Sequence, residues 1–267
     1  MTSGGVIALG SIDLGLAAVL FFLLAIFSWK MSLGLEKRIV ISGLRMTVQL
    51  LLIGLVLKFL FTRVDLLWVS VMALIMLLAA GREVRARQKR RISGGRGYLI
   101  GTGSMFISSF SITIIALVTM VQVDPWYSPR YAIPLLGMLL GNTMNGIALA
   151  SDRLTSQIYD QRAMIEQRLM LGENWQEASN DLRRDCMRTG MIPIINAMAA
   201  AGLVSLPGMM TGQILGGSSP IDAVKYQILI MFLIGAGSGF GVICSIRFTC
   251  DRLFDDRHRL RLEYLDG

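Results

Sequence analysis

The residues in this chain that could do chemistry are few, and most are neutral. Its single histidine, His258, lies in a basic C-terminal stretch, so imidazole acid–base or metal chemistry within an apolar interior is excluded by inventory. Cys186, Cys244 and Cys250 share no CxxC spacing and suggest neither a disulfide framework nor a zinc site. No GxxxxGK[ST], HExxH or GxSxG occurs, nor a GxGxxG following a strand. The sequence therefore gives no basis for nucleotide binding or hydrolytic catalysis. The GAGSGFG run at 235–241 superficially evokes a phosphate loop, but it sits in an apolar stretch with no preceding strand and is read as helix packing. No metal-ligand set is identifiable.

What remains are amides and thioethers in apolar surroundings. Asn142 and Asn145, three apart on one helical face, are either interhelical glue or the lining of a polar path. Gly137 and Gly141 beside them form a small-xxx-small pair that would permit close helix approach. Pro207 and Gly208 interrupt a charge-free stretch and are followed at once by Met209, Met210 and Gln213. Broken helices at mid-membrane recur at transporter sites; a plain proline kink packed by pliable methionines is the alternative. Gln49 lies one turn after Arg45 on another apolar stretch. The candidate path residues are thus Gln49, Met138, Asn142, Asn145, Pro207, Gly208, Met209, Met210 and Gln213.

These residues must be positioned by membrane helices. Of the 267 residues 54% are hydrophobic and 16% charged, against about a quarter charged in soluble domains, and the mean hydropathy is +0.59. The expected fold is all-α: a single polytopic permease domain, 1–267, with about seven transmembrane helices near 12–30, 39–61, 65–81, 97–123, 131–151, 190–215 and 225–247. The first span lacks a small-residue cleavage motif and is expected to be retained. On alternate connections, 21 Lys and Arg fall on one side (around 30–38, 82–96, 153–188 and 247–261) and four on the other. The positive-inside rule then puts the N-terminus outside and the C-terminus inside. The basic run at 85–91 is a topogenic loop or an anionic-lipid contact; with the positive charge on one membrane face, nucleic acid is not an expected partner.

The one long polar segment, 152–188, carries two apolar helical faces: Leu154, Ile158, Ile165 and Leu169, then Trp175, Ala178, Leu182 and Cys186. Gly172 separates them, and Asn174 with Glu177 forms a capping box that starts a fresh helix at Trp175. Two amphipathic helices joined by a turn suit a membrane subunit driven by a cytoplasmic partner.

Three blocks, 133–146 (IPLLGMLLGNTMNG), 168–178 (RLMLGENWQEA) and 202–227 (GLVSLPGMMTGQILGGSSPIDAVKYQ), resemble the FetB-type family of ABC transporter permeases, described as iron exporters with plant relatives linked to aluminium tolerance. The resemblance implies a permease, not an enzyme. It implies a homodimer in the plasma membrane (the cell inner membrane of a bacterium), paired with a separate cytoplasmic ABC ATPase that uses ATP and magnesium. This chain itself would bind no cofactor. The resemblance also gives the long segment a coupling role, through Glu166, Leu171, Gly172, Trp175, Glu177 and Ala178. Glu166 and Gly172 keep the six-residue offset of the importer EAA loop, but Gln167 and Arg168 replace its alanines. Trp175 would be an exposed anchor at the tip, or else be buried against the membrane interface. Iron as cargo follows from the resemblance alone, because thioethers and amides are not its preferred ligands. An ATPase-independent secondary transporter or channel for a small solute is the alternative.

Overall fold

The computed structural model describes residues 10–255 and 257–266. The helices are α1 Ser11–Lys30, α2 Glu36–Thr62, α3 Leu66–Arg87, α4 Arg96–Val121, α5 Pro129–Asp160, α6 Arg162–Met170, α7 Trp175–Ala178, α8 Asn180–Ala200, α9 Gly208–Leu215 and α10 Pro220–Leu253. A two-residue antiparallel ladder, β1 Arg91–Ile92 with β2 Leu265–Asp266, ties the α3–α4 connection to the C-terminal segment. The expected all-α, polytopic architecture is present.

Six of these helices, α1 to α5 and α10, are long and apolar enough to cross a membrane. The expected span at 190–215 is not one helix. α8 stops at Ala200 and α9 starts at Gly208. Gly202 takes φ +85°, a left-handed conformation that ends a helix cheaply only at glycine, and Pro207, at the N-cap of α9, has no N–H to continue the earlier ladder. The fifth expected span lies within a longer helix. The expected boundary at 151 rests on the first charge, but helix α5 runs on unbroken to Asp160. Its 32 residues make about 48 Å at ~1.5 Å per residue, longer than a hydrocarbon core of ~30 Å. Leu154 and Ile158 therefore belong to α5, while Ile165 and Leu169 lie on α6.

Helices α3, α4, α5, α8 and α10 form the packed bundle, and α1 packs mainly on α2 at the periphery. Two apolar clusters fill the bundle. One, around Val84, Met105, Ile147, Leu154, Val242 and Ile246, lies toward the basic end, where the basic connections gather. The other, around Leu117, Ile133, Leu139, Ile230 and Ile234, lies toward the opposite end. Gly137 and Gly141 do not make the tight crossing: a Cβ at Gly141 would meet nothing within 4 Å, and one at Gly137 only the tip of Met76. The close approach is between α5 and α8. A Cβ on Gly146 would lie 2.8 Å from the Gly190 carbonyl oxygen, and one on Gly190 would lie 2.8 Å from Ala150 Cβ. In the glycine-rich run of α10, Gly241 packs against Thr143, as the packing interpretation of that run requires.

Candidate functional site

Two places gather the sequence-derived candidates, one at the basic end and one toward the opposite end. At the basic end, α6 closes on itself before α7 begins. Gly172 at φ +97° donates its N–H to Leu169 O at 3.1 Å, and Glu173 donates to Arg168 O at 3.2 Å. This is the paired hydrogen bonding of a Schellman terminus, which favours glycine at that position. Arg168 braces the turn from inside, with Nε 2.7 Å from Glu173 Oε2 and Nη1 3.3 Å from Ala178 O. The expected capping box is formed: Asn174 Oδ1 accepts from Glu177 N at 2.9 Å, and Glu177 Oε2 accepts from Asn174 N at 3.0 Å. The result is a rigid tip on which Met170 is 81% and Leu171 78% exposed.

Trp175 is not at that tip. It is 7% exposed and stacks on Phe254, just past α10, with ring centroids 5.3 Å apart and planes 11° apart. The Arg183 and Arg247 guanidinium carbons lie 5.4 and 5.2 Å from the indole centroid. An amphipathic ring beside a turn reads as an exposed anchor when only its neighbours in sequence are known. The covering ring comes from a distant part of the chain. Ala178 is buried with Trp175, whereas Glu166 and Glu177 are exposed. Glu166, Met170 and Gly172 line one wall of a groove of ≈ 580 Å³, and Arg257, His258, Arg259 and Leu260 line the other.

Two carboxylates near this segment are held by strong partners. Asp185 meets Arg153 at 2.7 Å, and the hydrogen bonds from Arg153 and Gln157 hold its carboxyl below the usual range. Asp255 accepts the backbone N–H groups of Arg257 and Arg259 at 3.0 and 2.7 Å, and these hydrogen bonds depress its pKa likewise. Burial pushes the Cys186 thiol up to about 12. The basic run is engaged within the fold: Lys89 N donates to Asp152 Oδ1 at 2.6 Å, and the Arg90 guanidinium carbon lies 3.5 Å from the Tyr159 ring centroid.

Toward the opposite end, α4, α5, α9 and α10 enclose a cavity of ≈ 200 Å³. Met138, Met209 and Gln213 meet there, joined by Leu117, Val121, Arg130, Tyr131, Tyr226 and Leu233. The Gln213 Oε1 atom is buried without a hydrogen-bond partner among the described residues. Pro207 and Gly208 open α9 and so aim Met209 and Gln213 inward. The remaining candidates do not join them. Asn142 Nδ2 donates to Met138 O at 2.8 Å, so its amide serves its own helix. Asn145 Oδ1 accepts from Arg87, Met210 is half-buried off the cavity, and Gln49 is exposed on α2.

Sequence reasoning missed Arg130, Tyr131 and Tyr226. One signal was available: Pro134 sits four residues after Arg130 within α5 and cannot donate to the Arg130 carbonyl. Also missed was a buried hydroxyl layer. Ser109 donates to Thr143 at 3.3 Å and Ser151 lies 3.0 Å from Ser245, while Ser108 and Ser238 are buried without partners among the described residues. Ser108 and Ser109 lie on Phe106–Phe110, a π-helical insertion in α4, a distortion often found at functional sites.

Residues 11–254 match the model of an uncharacterised protein family, UPF0014. The chain belongs to the UPF0014 family. It is 40% identical to the UPF0014 membrane protein slr1647 of Synechocystis sp. (strain ATCC 27184 / PCC 6803 / Kazusa), over 88% of this chain and 90% of that one. It is 32% identical to the probable iron export permease protein FetB of Escherichia coli (strain K12), over 93% of each. The protein ALUMINUM SENSITIVE 3 of Arabidopsis thaliana is 33% identical over 94% of this chain and 90% of that one. No solved structure matches. With six membrane-length apolar helices, this UPF0014 member is an integral membrane protein.

Proposed function

We propose that this chain is the membrane subunit of an ATP-driven exporter, working as a pair with a separate cytoplasmic ABC ATPase. The carrying observation is the tip at Met170 and Leu171: two large apolar side chains left exposed by a closed, Arg168-braced turn. An exposed apolar knob on a rigid support is an anchor for a partner's pocket. Through α6 it adjoins α5, and through Trp175 and Phe254 it adjoins the end of α10, so force applied there reaches both long helices. In this reading α8 and α9 together make a seventh crossing, so the basic end faces the cytoplasm, with the N-terminus outside and the C-terminus inside. ATP and magnesium act in the partner, which shifts the membrane subunit between two states for which it has different affinities.

The cargo in this reading is a metal ion, iron by likeness to the Escherichia coli relative, passing Met138, Met209 and Gln213 near the non-cytoplasmic end. Neutral ligands there would hold it loosely enough to release. Arg130 supports a second form of the cargo. Among the described residues it is the only formally charged one lining the cavity, and a positive charge favours a metal carried in an anionic complex over a bare cation.

The test is purification with the ATPase in lipid, followed by ATP hydrolysis measured with ferrous ion, other divalent metals, ferric citrate and citrate alone. Stimulation by at least one metal form supports the proposal. If flux of the same solutes runs on an ion gradient in liposomes containing this chain alone, the ATPase-independent transporter or channel is correct instead.

A further inference from the structure

The stretch between α8 and α9 is irregular backbone on the outer face of the bundle, far from the ends of α10. Met198, near the end of α8, packs beside Gly235, where a Cβ would lie 3.6 Å from its sulfur, and Gly235 is close to the middle of α10. At about 1.5 Å per residue along α10, the break begins roughly 20 Å below the Pro220 end.

Within the break, Gly202 N donates to Ser205 O at 2.9 Å, and Val204 and Ser205 both donate to Ala200 O, at 3.0 and 3.1 Å. Among the described residues no donor reaches the carbonyls of Gly202, Leu203 or Val204, and the N–H groups of Leu203 and Leu206 reach no acceptor. Leu203 is 91% and Val204 86% exposed. Hydrocarbon cannot satisfy such groups. At membrane depth, non-helical backbone survives only where protein covers it or water reaches it. A single chain leaves this face bare.

We infer that the 201–207 break is where two copies of the chain meet, its unpaired backbone groups pairing across the junction. The inference rests on the paired exporter proposed above and names the face it uses. The occupant is a second copy because the face offers both halves of the missing hydrogen bonds, free carbonyls beside the Leu203 N–H and the Ser205 hydroxyl. A surface with both kinds of group can satisfy itself about a two-fold axis. Helices α1 and α2 also expose apolar surface, but as continuous helices they pair their backbones internally, so lipid is sufficient cover for them.

The test is site-specific photocross-linking in native membranes, with benzoylphenylalanine replacing Leu203 in the full chain, and replacing Leu51 on the 68% exposed flank of α2 as the control. The 203 probe is expected to give a dimer-sized product whose peptides come only from this chain. The probe at 51 is expected to give none. A monomeric result at 203, a product containing another protein, or equal self-cross-linking at both positions would overturn the inference. ATP hydrolysis by the same chain with its ATPase separates the two claims. Coupled hydrolysis without a 203 cross-link refutes this interface alone, whereas a cross-link without coupled hydrolysis upholds the interface and refutes the exporter reading.

Discussion

Replacing Trp175 with alanine separates a buried strut from an exposed anchor. The indole is almost fully enclosed, stacked on Phe254 and flanked by Arg183 and Arg247. Truncating a large buried aromatic costs about 3–5 kcal/mol. The aromatic stack accounts for about 1 kcal/mol of that and each cation–π contact for roughly 0.5–1 kcal/mol. For a chain of this size a loss of about 4 kcal/mol lowers the apparent Tm by roughly 10 °C. Trp175→Phe, which keeps the stack, should lose less than half as much. A double-mutant cycle with Phe254→Ala should return a coupling of about 0.5–1.5 kcal/mol. The assay is thermal unfolding in detergent, followed by fluorescence and by protease cleavage near residue 175. If Trp175→Ala leaves the Tm unchanged while abolishing capture of the ATPase, the ring is an exposed docking residue and its packing against Phe254 is refuted.

Gly190→Ala should lower the Tm, because its Cβ would meet Ala150, the Gly146 carbonyl and Val242 at 2.8–3.0 Å. Overpacking of about 1–3 kcal/mol exceeds the gain in helix propensity of about 1 kcal/mol, whereas Gly141→Ala should be neutral or stabilising; the reverse order would discredit the α5–α8 crossing. Cys186, fully buried with its thiol raised to about 12, should resist maleimide at pH 8 until the protein unfolds, and rapid labelling of the folded form would contradict that environment. Asp255 has a depressed folded pKa, so its contribution to the fold of the 257–266 segment is complete above its unfolded value of about 3.9 and lost as pH falls through the lower folded value. Hydrogen exchange of that segment should stay slow at pH 5 and accelerate only below about pH 4; opening at pH 6 would assign its stability elsewhere.

Local signals in the sequence survived into the structure, and long-range ones did not. Asn174, Glu177 and Gly172 act on backbone within five residues of themselves, so the cap and the turn between α6 and α7 could be placed from spacing alone. The burial of Trp175 depends on Phe254, 79 positions away, and nothing beside Trp175 announces it. The close crossing falls at Gly146 and Gly190, not at Gly137 and Gly141, because helix approach is decided by what lies opposite each glycine. A helix also ignores the charge that ends an apolar stretch, which is why α5 passes Asp152 without a break. Pro207 revealed that the 190–215 stretch would be interrupted. The extent of the interruption was hidden because Gly202 shares the work of ending α8. Of the path candidates, Met138, Met209 and Gln213 converge because α9 turns inward after Pro207. The amide of Asn142 bonds within its own helix and that of Asn145 bonds Arg87 of α3, and sequence alone cannot distinguish a satisfied amide from a free one.

The central claim is that a partner ATPase drives this chain through the Met170–Leu171 tip. Its most direct test is ATP-driven cargo uptake by inside-out vesicles containing the chain and its ATPase, with Leu171→Asp against the parent. Leu171 is 78% exposed and belongs to neither apolar cluster, so the Tm should not change. Loss of an anchoring contact should cut bound ATPase and ATP-driven uptake together by at least about tenfold, the equivalent of ~1.4 kcal/mol. Uptake and ATPase binding that persist at the parental level in Leu171→Asp would contradict the account.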